Sequence, residues 1–414
     1  MKNKKWLMCF VIICCLGCLA CKEPSPNYLA DKTFDTEEYL PQYDATYSYN
    51  YISENFCETE TACYGMMFND PQYLHYYDKT MGTSGVLCGK VECMHNSWEC
   101  NAYLPIGSWG LNIYDGHLYW IGGMAQERHL DTGCYVWRMD LDGNNREKVK
   151  TVSSSIFQQG SGMNMFVQFH RGYLYASSLV LNVVDGQAIP SVEITAEDIA
   201  GTTEEYVTVL NKEYEGCSVL FKTHLVGNNM YILISTHQNG TSGLELYQWD
   251  SKTRELITLY QDMDAEITCG DIWAVAGDGV YLSQSALEDG ENAHIYKYDF
   301  ETAELTCCFE VVYADGNYTT ATFANGLVEA VDRVDTQYYL LVMDMSGKVV
   351  CHKEIVVSGL DAGQRYSRAF CGSNGESFYY EYSCMSEKGV QGYMISVPLD
   401  QESEASILWT SAGN

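Results

Sequence analysis

Positive charge is scarce in this sequence, which contains 24 Lys and Arg residues against 55 Asp and Glu residues. The formal net charge is −31. A polyanion repels nucleic acids and anionic lipid headgroups, so we expect no nucleic-acid partner. The negative charge is spread along the chain, and apolar residues make up 46% of its 414 residues. A chain of this length and composition buries a substantial core.

Familiar catalytic motifs are also missing. The sequence contains no Gly-x-Ser-x-Gly nucleophile elbow, no His-Glu-x-x-His helix and no phosphate-binding glycine loop. We therefore assign no catalytic residue and favour a protein that is not an enzyme. Carboxylates are plentiful, however, and two of them facing each other about 5 to 10 Å apart would suffice for a glycosidase. The sequence leaves this alternative open.

Only one long apolar run is present, at residues 6–20, and it follows the basic start "MKNKK". This pattern is typical of an export signal, and the run is shorter than the roughly twenty residues that span a bilayer. Its end, "LAC", resembles the lipobox of bacterial lipoproteins, in which cleavage precedes a cysteine that becomes diacylated. We predict a signal peptide at 1–20 and lipidation of Cys21, with Cys18 as the fallback. The protein would then be anchored by lipid to the cell membrane and face outside.

Residues 21–50 differ in composition from the rest of the chain. They include Pro24, Pro26 and Pro41, six acidic residues and repeated tyrosines without clean alternation. We predict a flexible tether here, and a folded domain at 51–414.

The folded part is repetitive. A short turn of Asp, Asn or Gly followed by alternating apolar and aromatic residues recurs every 48 to 56 residues, and a divergent earlier copy begins at "CYGMMFNDPQ". The six clear copies are "YDGHLYWIG", "FHRGYLYAS", "LVGNNMYILIS", "VAGDGVYLSQ", "FANGLVEAV" and "CGSNGESFYYEY". Period-two alternation predicts strands, and the turns are hairpin chemistry. We therefore predict an all-β fold, a single β-propeller of seven four-stranded blades, with a contact between the two ends of the repeat region that closes the ring.

An aspartate recurs about twenty residues after each turn. It is expected to accept a backbone N–H two residues on within a hairpin turn, which needs no catalytic role. The aspartates are Asp78, Asp140, Asp250, Asp299 and Asp344. One module also carries an acidic stretch at residues 182–206 that breaks the period, and such insertions often map to a binding face.

The pattern "YDGHLYWIG…YVWRMDLDGNNREKV" is similar to the propeller-type repeats of uncharacterised lipoproteins from Gram-positive gut clostridia, which are related to TolB-like propellers and to a domain of unknown function. The segment "YLHYYDKTMGTSGVLCGKVECMHNSWECNAYL" resembles a part of those proteins in which a strand precedes a Cys-rich loop and then "CNAY". The resemblance covers residues 64–414. It implies a propeller fold and a location at the cell surface, and no assigned activity.

The segment "CGKVECMHNSWEC" contains Cys88, Cys93, His95 and Cys100. Three thiols and an imidazole are the ligand set of a closed structural zinc site, although the spacing departs from that of zinc fingers. A second interpretation is one or two disulfides among these three cysteines together with Cys57 and Cys63. The third is that the thiols are reduced and buried. Thirteen cysteines follow Cys21, so they cannot all pair within one chain. Under each of the three interpretations, we expect the cluster to fix the conformation of the loop that leaves the first blade.

Two functions follow from these observations. We favour a surface-anchored, non-catalytic propeller that binds an extracellular glycan, peptide or protein. The alternative is a propeller hydrolase or lyase acting on extracellular polysaccharide. The sequence identifies no ligand-binding residue, although its 33 tyrosines would suit stacking on sugar rings if some are exposed.

Overall fold

In the part of the chain that the structure describes, 29 strands form seven antiparallel sheets, each built from consecutive strands. The computed structural model describes residues 34, 37–45, 55–66, 72–105, 108–123, 133–158, 162–184, 186–200, 206–265, 267–286, 288, 290–334, 337–361, 364–386 and 389–411. The predicted seven-bladed β-propeller is confirmed. Besides strands, the described residues include one short helical turn, α1 (Ser155–Gln158). No helix among these residues is long and apolar enough to cross a membrane.

The strands follow the blades in order. Blade 1 contains β1 (Phe56–Glu58), β2 (Ala62–Met66), β3 (Gln72–Asp78), β4 (Thr83–Val86) and β5 (Tyr103–Leu104). Blade 2 contains β6 (Trp109–Tyr114), β7 (His117–Gly122), β8 (Tyr135–Asp140) and β9 (Glu147–Thr151). Blade 3 contains β10 (Gly162–His170), β11 (Tyr173–Val184), β12 (Gln187–Asp198) and β13 (Val207–Glu213). Blade 4 contains β14 (Ser218–Val226), β15 (Asn229–Gln238), β16 (Thr241–Asp250) and β17 (Glu255–Ala265).

The last three blades repeat the same order. Blade 5 contains β18 (Cys269–Val275), β19 (Gly279–Gln284), β20 (His294–Asp299) and β21 (Leu305–Glu310). Blade 6 contains β22 (Ala321–Ala324), β23 (Leu327–Val334), β24 (Gln337–Asp344) and β25 (Val349–Glu354). Blade 7 contains β26 (Ser367–Ser373), β27 (Ser377–Ser386), β28 (Gly389–Pro398) and β29 (Ser406–Ser411).

Each blade buries both faces of its sheet against its neighbours. Seven hydrophobic clusters are present among the described residues, and each lies between two adjacent blades. Successive side chains of a strand point to opposite faces, so one strand serves two clusters. In β27, for example, Tyr379 packs toward blade 1 and Tyr380 toward blade 6. The alternation in the sequence therefore encodes blade-to-blade packing.

The recurrent aspartates lie at the end of the third strand of their blades. Four of them accept the backbone N–H two residues on, as predicted, namely Asp78, Asp250, Asp299 and Asp344. In blade 2 the neighbouring Asp142, rather than Asp140, accepts this bond, from Asn144. Asp198 and Asp400 form the same turn in blades 3 and 7, which the sequence pattern did not identify.

The acidic stretch at residues 182–206 is largely strand. β11 and β12 each run for 12 residues and stay paired from Tyr173 with Asp198 to Val184 with Gln187. The extra residues therefore lengthen a hairpin of blade 3 instead of forming an inserted loop.

Part of the segment predicted as a tether lies against the propeller. We call residues 37–45 the strap. Asp44 is 3% exposed and accepts two hydrogen bonds from the Arg171 guanidinium, at 2.7 and 3.0 Å. The strap also pairs with turns between first and second strands, since Gln42 accepts from the Asp115 N–H and Glu37 from the Asn228 N–H. A buried carboxylate needs a charged partner, so the pairing of Asp44 with Arg171 fixes the strap to blade 3. The hydrogen bonds of Gln42 and Glu37 extend the contact to blades 2 and 4.

Blades 7 and 1 meet at a seam that side chains close, and no strand is shared between the described parts of the two blades. Trp409 is 3% exposed and packs against Phe56 and His75 of blade 1, with ring centroids 6.1 and 6.3 Å apart. Gly65 makes room for this indole, because a Cβ at Gly65 would lie 2.4 Å from its Cζ2 atom. The seam core is the smallest of the seven among the described residues. The predicted contact between the two ends of the repeat region is therefore present.

A carboxyl group sits in the same seam. Glu381 pairs with Met394, which pairs with Trp409, and antiparallel partners share one face of a sheet. Glu381 therefore lies in the row of side chains that faces blade 1. Burial raises the pKa of this carboxyl from 4.5 to about 7.

We expect the seam to be weaker at alkaline pH because Glu381 binds its proton more tightly in the folded chain than in the unfolded chain. The free energy of unfolding should fall as pH rises from 5 to 8, and Glu381→Gln should remove about 1 to 3 kcal/mol of that fall. Denaturant unfolding at both pH values measures the effect. Glu304→Gln, an exposed site in blade 5, is the control. Equal falls in wild type and Glu381→Gln would contradict the assignment.

Candidate functional sites

One face of the ring carries the turns between first and second strands and between third and fourth strands. We call it the turn face. A cavity of about 1270 Å³ opens on it, lined by blades 1, 2 and 7 together with the strap. Tyr39, Pro41 and Gln42 of the strap form one wall, and the seam runs through the floor. The cavity could not be predicted from local sequence patterns, because its lining residues come from both ends of the repeat region.

Glu58 organises the floor of this cavity. Its carboxylate side chain is 3% exposed and accepts hydrogen bonds from Lys79 Nζ at 2.5 Å and from the Tyr379 hydroxyl at 2.7 Å. Asn374 Nδ2 lies 3.4 Å from the same oxygen. The bonds from Tyr379 and Asn374 join blade 7 to blade 1, and Lys79 balances the negative charge of Glu58. Glu58 is therefore a positioning group of the seam.

The rest of the lining is aromatic and acidic. Four tyrosines, four carboxylates and one lysine line the cavity, a formal excess of three negative charges. The tyrosines are Tyr39, Tyr64, Tyr77 and Tyr379, and the carboxylates are Glu58, Glu60, Asp142 and Glu376. Tyr39 is 56% exposed and offers its ring at the rim. This surface suits a neutral or cationic ligand that stacks on aromatic rings.

Buried carboxylates near the inner strands are held by the blades themselves. Asp271 accepts the Phe323 N–H at 2.8 Å, and burial raises its pKa to about 6. Glu329 accepts the Tyr380 hydroxyl at 2.7 Å and the Arg368 guanidinium at 3.1 Å. These bonds tie strands of neighbouring blades together, Asp271 joining blade 5 to blade 6 and Glu329 joining blade 6 to blade 7.

The Cys-rich segment interrupts the outer strand of blade 1. β4 and β5 pair with successive parts of the same strand, Val86 with His75 and Tyr103 with Tyr73. Residues 87–102 leave the sheet between them and return to it. We call these residues the cysteine loop.

The four predicted ligands converge within the cysteine loop. One donor atom each from Cys88, Cys93, His95 and Cys100 lies within 4.8 Å of the other three. His95 Nδ1 is 3.4 Å from Cys100 Sγ, and His95 has a positive φ of 52° that turns the chain back on itself. Cys100 is fully buried, and the other three residues are partly buried.

Cys57 and Cys63, the other members of the proposed disulfide set, lie on β1 and β2, and Cys57 shares a hydrophobic cluster with the cysteine loop. Cys57 pairs with Tyr64 and Cys63 with Glu58, so the two thiols point to opposite faces of blade 1. Cys57 packs toward blade 2 and Cys63 toward blade 7. Twelve cysteines are described in full, and all are free thiols in the structure.

Arg146 of blade 2 holds the cysteine loop in place. Its guanidinium donates to the carbonyls of Cys100 at 3.0 Å and Tyr103 at 2.8 Å. Asn101 Nδ2 donates to the Gly143 carbonyl at 2.9 Å, and Gly143 has a φ of +81° that brings the two backbones close. Burial lowers the pKa of Arg146, while the charges of Cys100 and Cys88 oppose this effect. The sequence offered no signal that this arginine belongs to the site.

Cys21 and Cys18, the predicted lipidation sites, lie outside the described residues.

The sequence analysis did not identify the residues that line the turn-face cavity. In the divergent first module, Glu58 ends β1 and Lys79 follows β3, and nothing in the local sequence around them indicates that Tyr379 completes the group.

No family model matches the sequence, and no curated protein does. Solved structures show similarity of fold alone, at low identity. A prolyl endopeptidase is similar over 89% of this chain and 50% of its own, with 11% identity and a TM-score of 0.53. An acylaminoacyl peptidase, solved with Z-Gly-Gly-Phe-chloromethyl ketone, is similar over 90% of this chain and 54% of its own, with 12% identity and a TM-score of 0.50.

The chain thus spans about half the length of these two peptidases. The β-propeller domain of the trilobed protease from Pyrococcus furiosus, described as having an open velcro topology, matches over 97% of its length and 90% of this chain. Its identity is 11% and its TM-score 0.49. The comparisons place the chain among proteins that contain a β-propeller and go no further.

Proposed function

We propose that the protein is a surface-anchored binding module whose β-propeller captures an extracellular glycan, peptide or protein in the turn-face cavity. The observation that carries this proposal is the cavity itself, wide, acidic and rimmed by tyrosine. Its charge favours a neutral or cationic ligand over a polyanion. A cationic peptide and an uncharged or amino-bearing sugar both fit this chemistry.

The alternative, a hydrolase or lyase acting on polysaccharide, has weaker support. Peptidases share the fold, but this chain matches only about half of their length. The described residues that line the cavity include no arginine, and Glu58 already accepts hydrogen bonds from Lys79 and Tyr379. A glycosidase needs one carboxyl that donates a proton and a second that is free to act as base or nucleophile. The observed contacts favour binding without catalysis.

The anchor is the second part of the proposal. Diacylation of Cys21 would attach the protein to the outer leaflet, with the remainder of the chain facing outside. Cys21→Ala should therefore leave uncleaved precursor or release the protein to the medium, as measured by fractionation and immunoblot. Cys18→Ala is the matched variant and should remain membrane-bound. The opposite pattern would move the lipidation site to Cys18.

Ligand binding is tested on soluble protein comprising residues 22–414, which retains the strap. We expect at least one cell-wall glycan, dietary glycan or basic peptide to bind in an array, followed by calorimetry. Tyr39→Ala should weaken that binding by about tenfold, because one aromatic contact contributes about 1 to 1.5 kcal/mol. Tyr313→Ala is the control, since Tyr313 is 39% exposed and lies outside the cavity.

Three results would count against this function. Equal losses from Tyr39→Ala and Tyr313→Ala would remove the cavity as the binding site. Release of new reducing ends from an arrayed polysaccharide would support the hydrolase or lyase instead. Preferential binding of polyanionic glycans would contradict the charge argument.

A further inference from the structure

We propose that Cys88, Cys93, His95 and Cys100 form a closed structural zinc site that fastens the outer strand of blade 1 to blade 2. This inference is independent of the binding function. It rests on four features of the cysteine loop, namely the donor geometry, the backbone turns that hold the loop in shape, the compensating charge and the poor fit of a disulfide.

The donor geometry fits a tetrahedral ion. Zinc bonds of about 2.3 Å to sulfur and 2.0 to 2.1 Å to imidazole nitrogen place ligand atoms roughly 3.5 to 3.8 Å apart. The four donor atoms already lie within 4.8 Å of one another, and His95 Nδ1 is 3.4 Å from Cys100 Sγ. Shifts of about 1 Å or less therefore complete the coordination sphere. Four protein ligands leave no open position, so the site is structural.

The backbone of the cysteine loop supports the positions of the ligands. Tight turns hold the loop in shape, with the Cys93 N–H donating to the Lys90 carbonyl and the Cys100 N–H to the Ser97 carbonyl. The donors are thus positioned by the backbone before the ion binds.

The charge of the site is compensated. Three thiolates and one zinc ion carry a net charge of −1, which is costly in a partly buried loop. The positively charged guanidinium of Arg146 lies against the loop, where it donates to the carbonyls of Cys100 and Tyr103. Arg146 therefore leaves the sulfur atoms available to the metal, and its positive charge balances the net negative charge of the zinc complex.

A disulfide explains the cluster less well. A bond between any two of the three loop thiols leaves the third thiol and the imidazole without a role. Cys57 and Cys63 cannot act as partners for each other, because they lie on opposite faces of blade 1. Convergence of all four side chains is the arrangement that a metal ion requires.

The test is made on residues 22–414 purified without chelator. We expect one zinc ion per chain by mass spectrometry, and all three loop thiols to react after denaturation with a chelator. Cobalt exchanged into the wild-type protein should give the visible absorption of a tetrahedral sulfur-rich site. This readout needs no variant to fold.

Variants then assign the ligands. His95→Ala and Cys93→Ser should each lower zinc affinity by more than about tenfold, since even the outer partners of metal ligands contribute that much. Cys308→Ser, at an exposed cysteine of blade 5, should bind zinc as the wild type does. Absence of metal with loss of two thiols would establish a disulfide and overturn the proposal. Absence of metal with all three thiols free would also overturn it.

Discussion

Side-chain packing between blades 7 and 1 is the interaction on which the ring depends. Every other pair of neighbouring blades is joined by a short stretch of chain, whereas Glu58 and Tyr379 are 321 residues apart. Closing so long a loop costs conformational entropy, and the described parts of blades 1 and 7 share no strand that would contribute ladder hydrogen bonds in return. Trp409 and the bonds to Glu58 therefore supply the closure. Glu58 and Tyr379 also line the turn-face cavity, so a ligand bound there would stabilise the closed ring.

Blade 1 carries most of what distinguishes this propeller from a plain repeat. Its outer strand is split by the cysteine loop, while the end of β1 and the turn after β3 contribute Glu58 and Lys79 to the seam. Arg146 fixes the other side of the loop to blade 2. Blade 1 is thus fastened on one side by the seam and on the other by the proposed metal site. Both attachments stabilise a blade whose described residues share no strand with blade 7.

The fold could be predicted from local sequence patterns. Alternation and hairpin turns repeat in every blade, so they report the number of blades and the turn role of residues such as Asp250 and Asp344. The cysteine loop was also visible, because its four donors lie within thirteen residues. Long-range partners were not visible. The burial of Asp44 depends on Arg171, 127 residues away, and the seam depends on contacts between the first and last modules. The acidic stretch of blade 3 broke the sequence period because β11 and β12 are longer than the corresponding strands of most blades.

A double-mutant cycle across the seam tests the closure most directly. Gly65→Ala places a methyl group 2.4 Å from the Trp409 ring, and Trp409→Phe removes the part of the ring that it meets. We expect Gly65→Ala to cost about 1 to 3 kcal/mol in the wild type and at least about 1 kcal/mol less in the Trp409→Phe background. The measurement is the free energy of unfolding of the four proteins. Costs that agree within about 0.5 kcal/mol in the two backgrounds would show that the residues do not touch and would contradict closure through this contact.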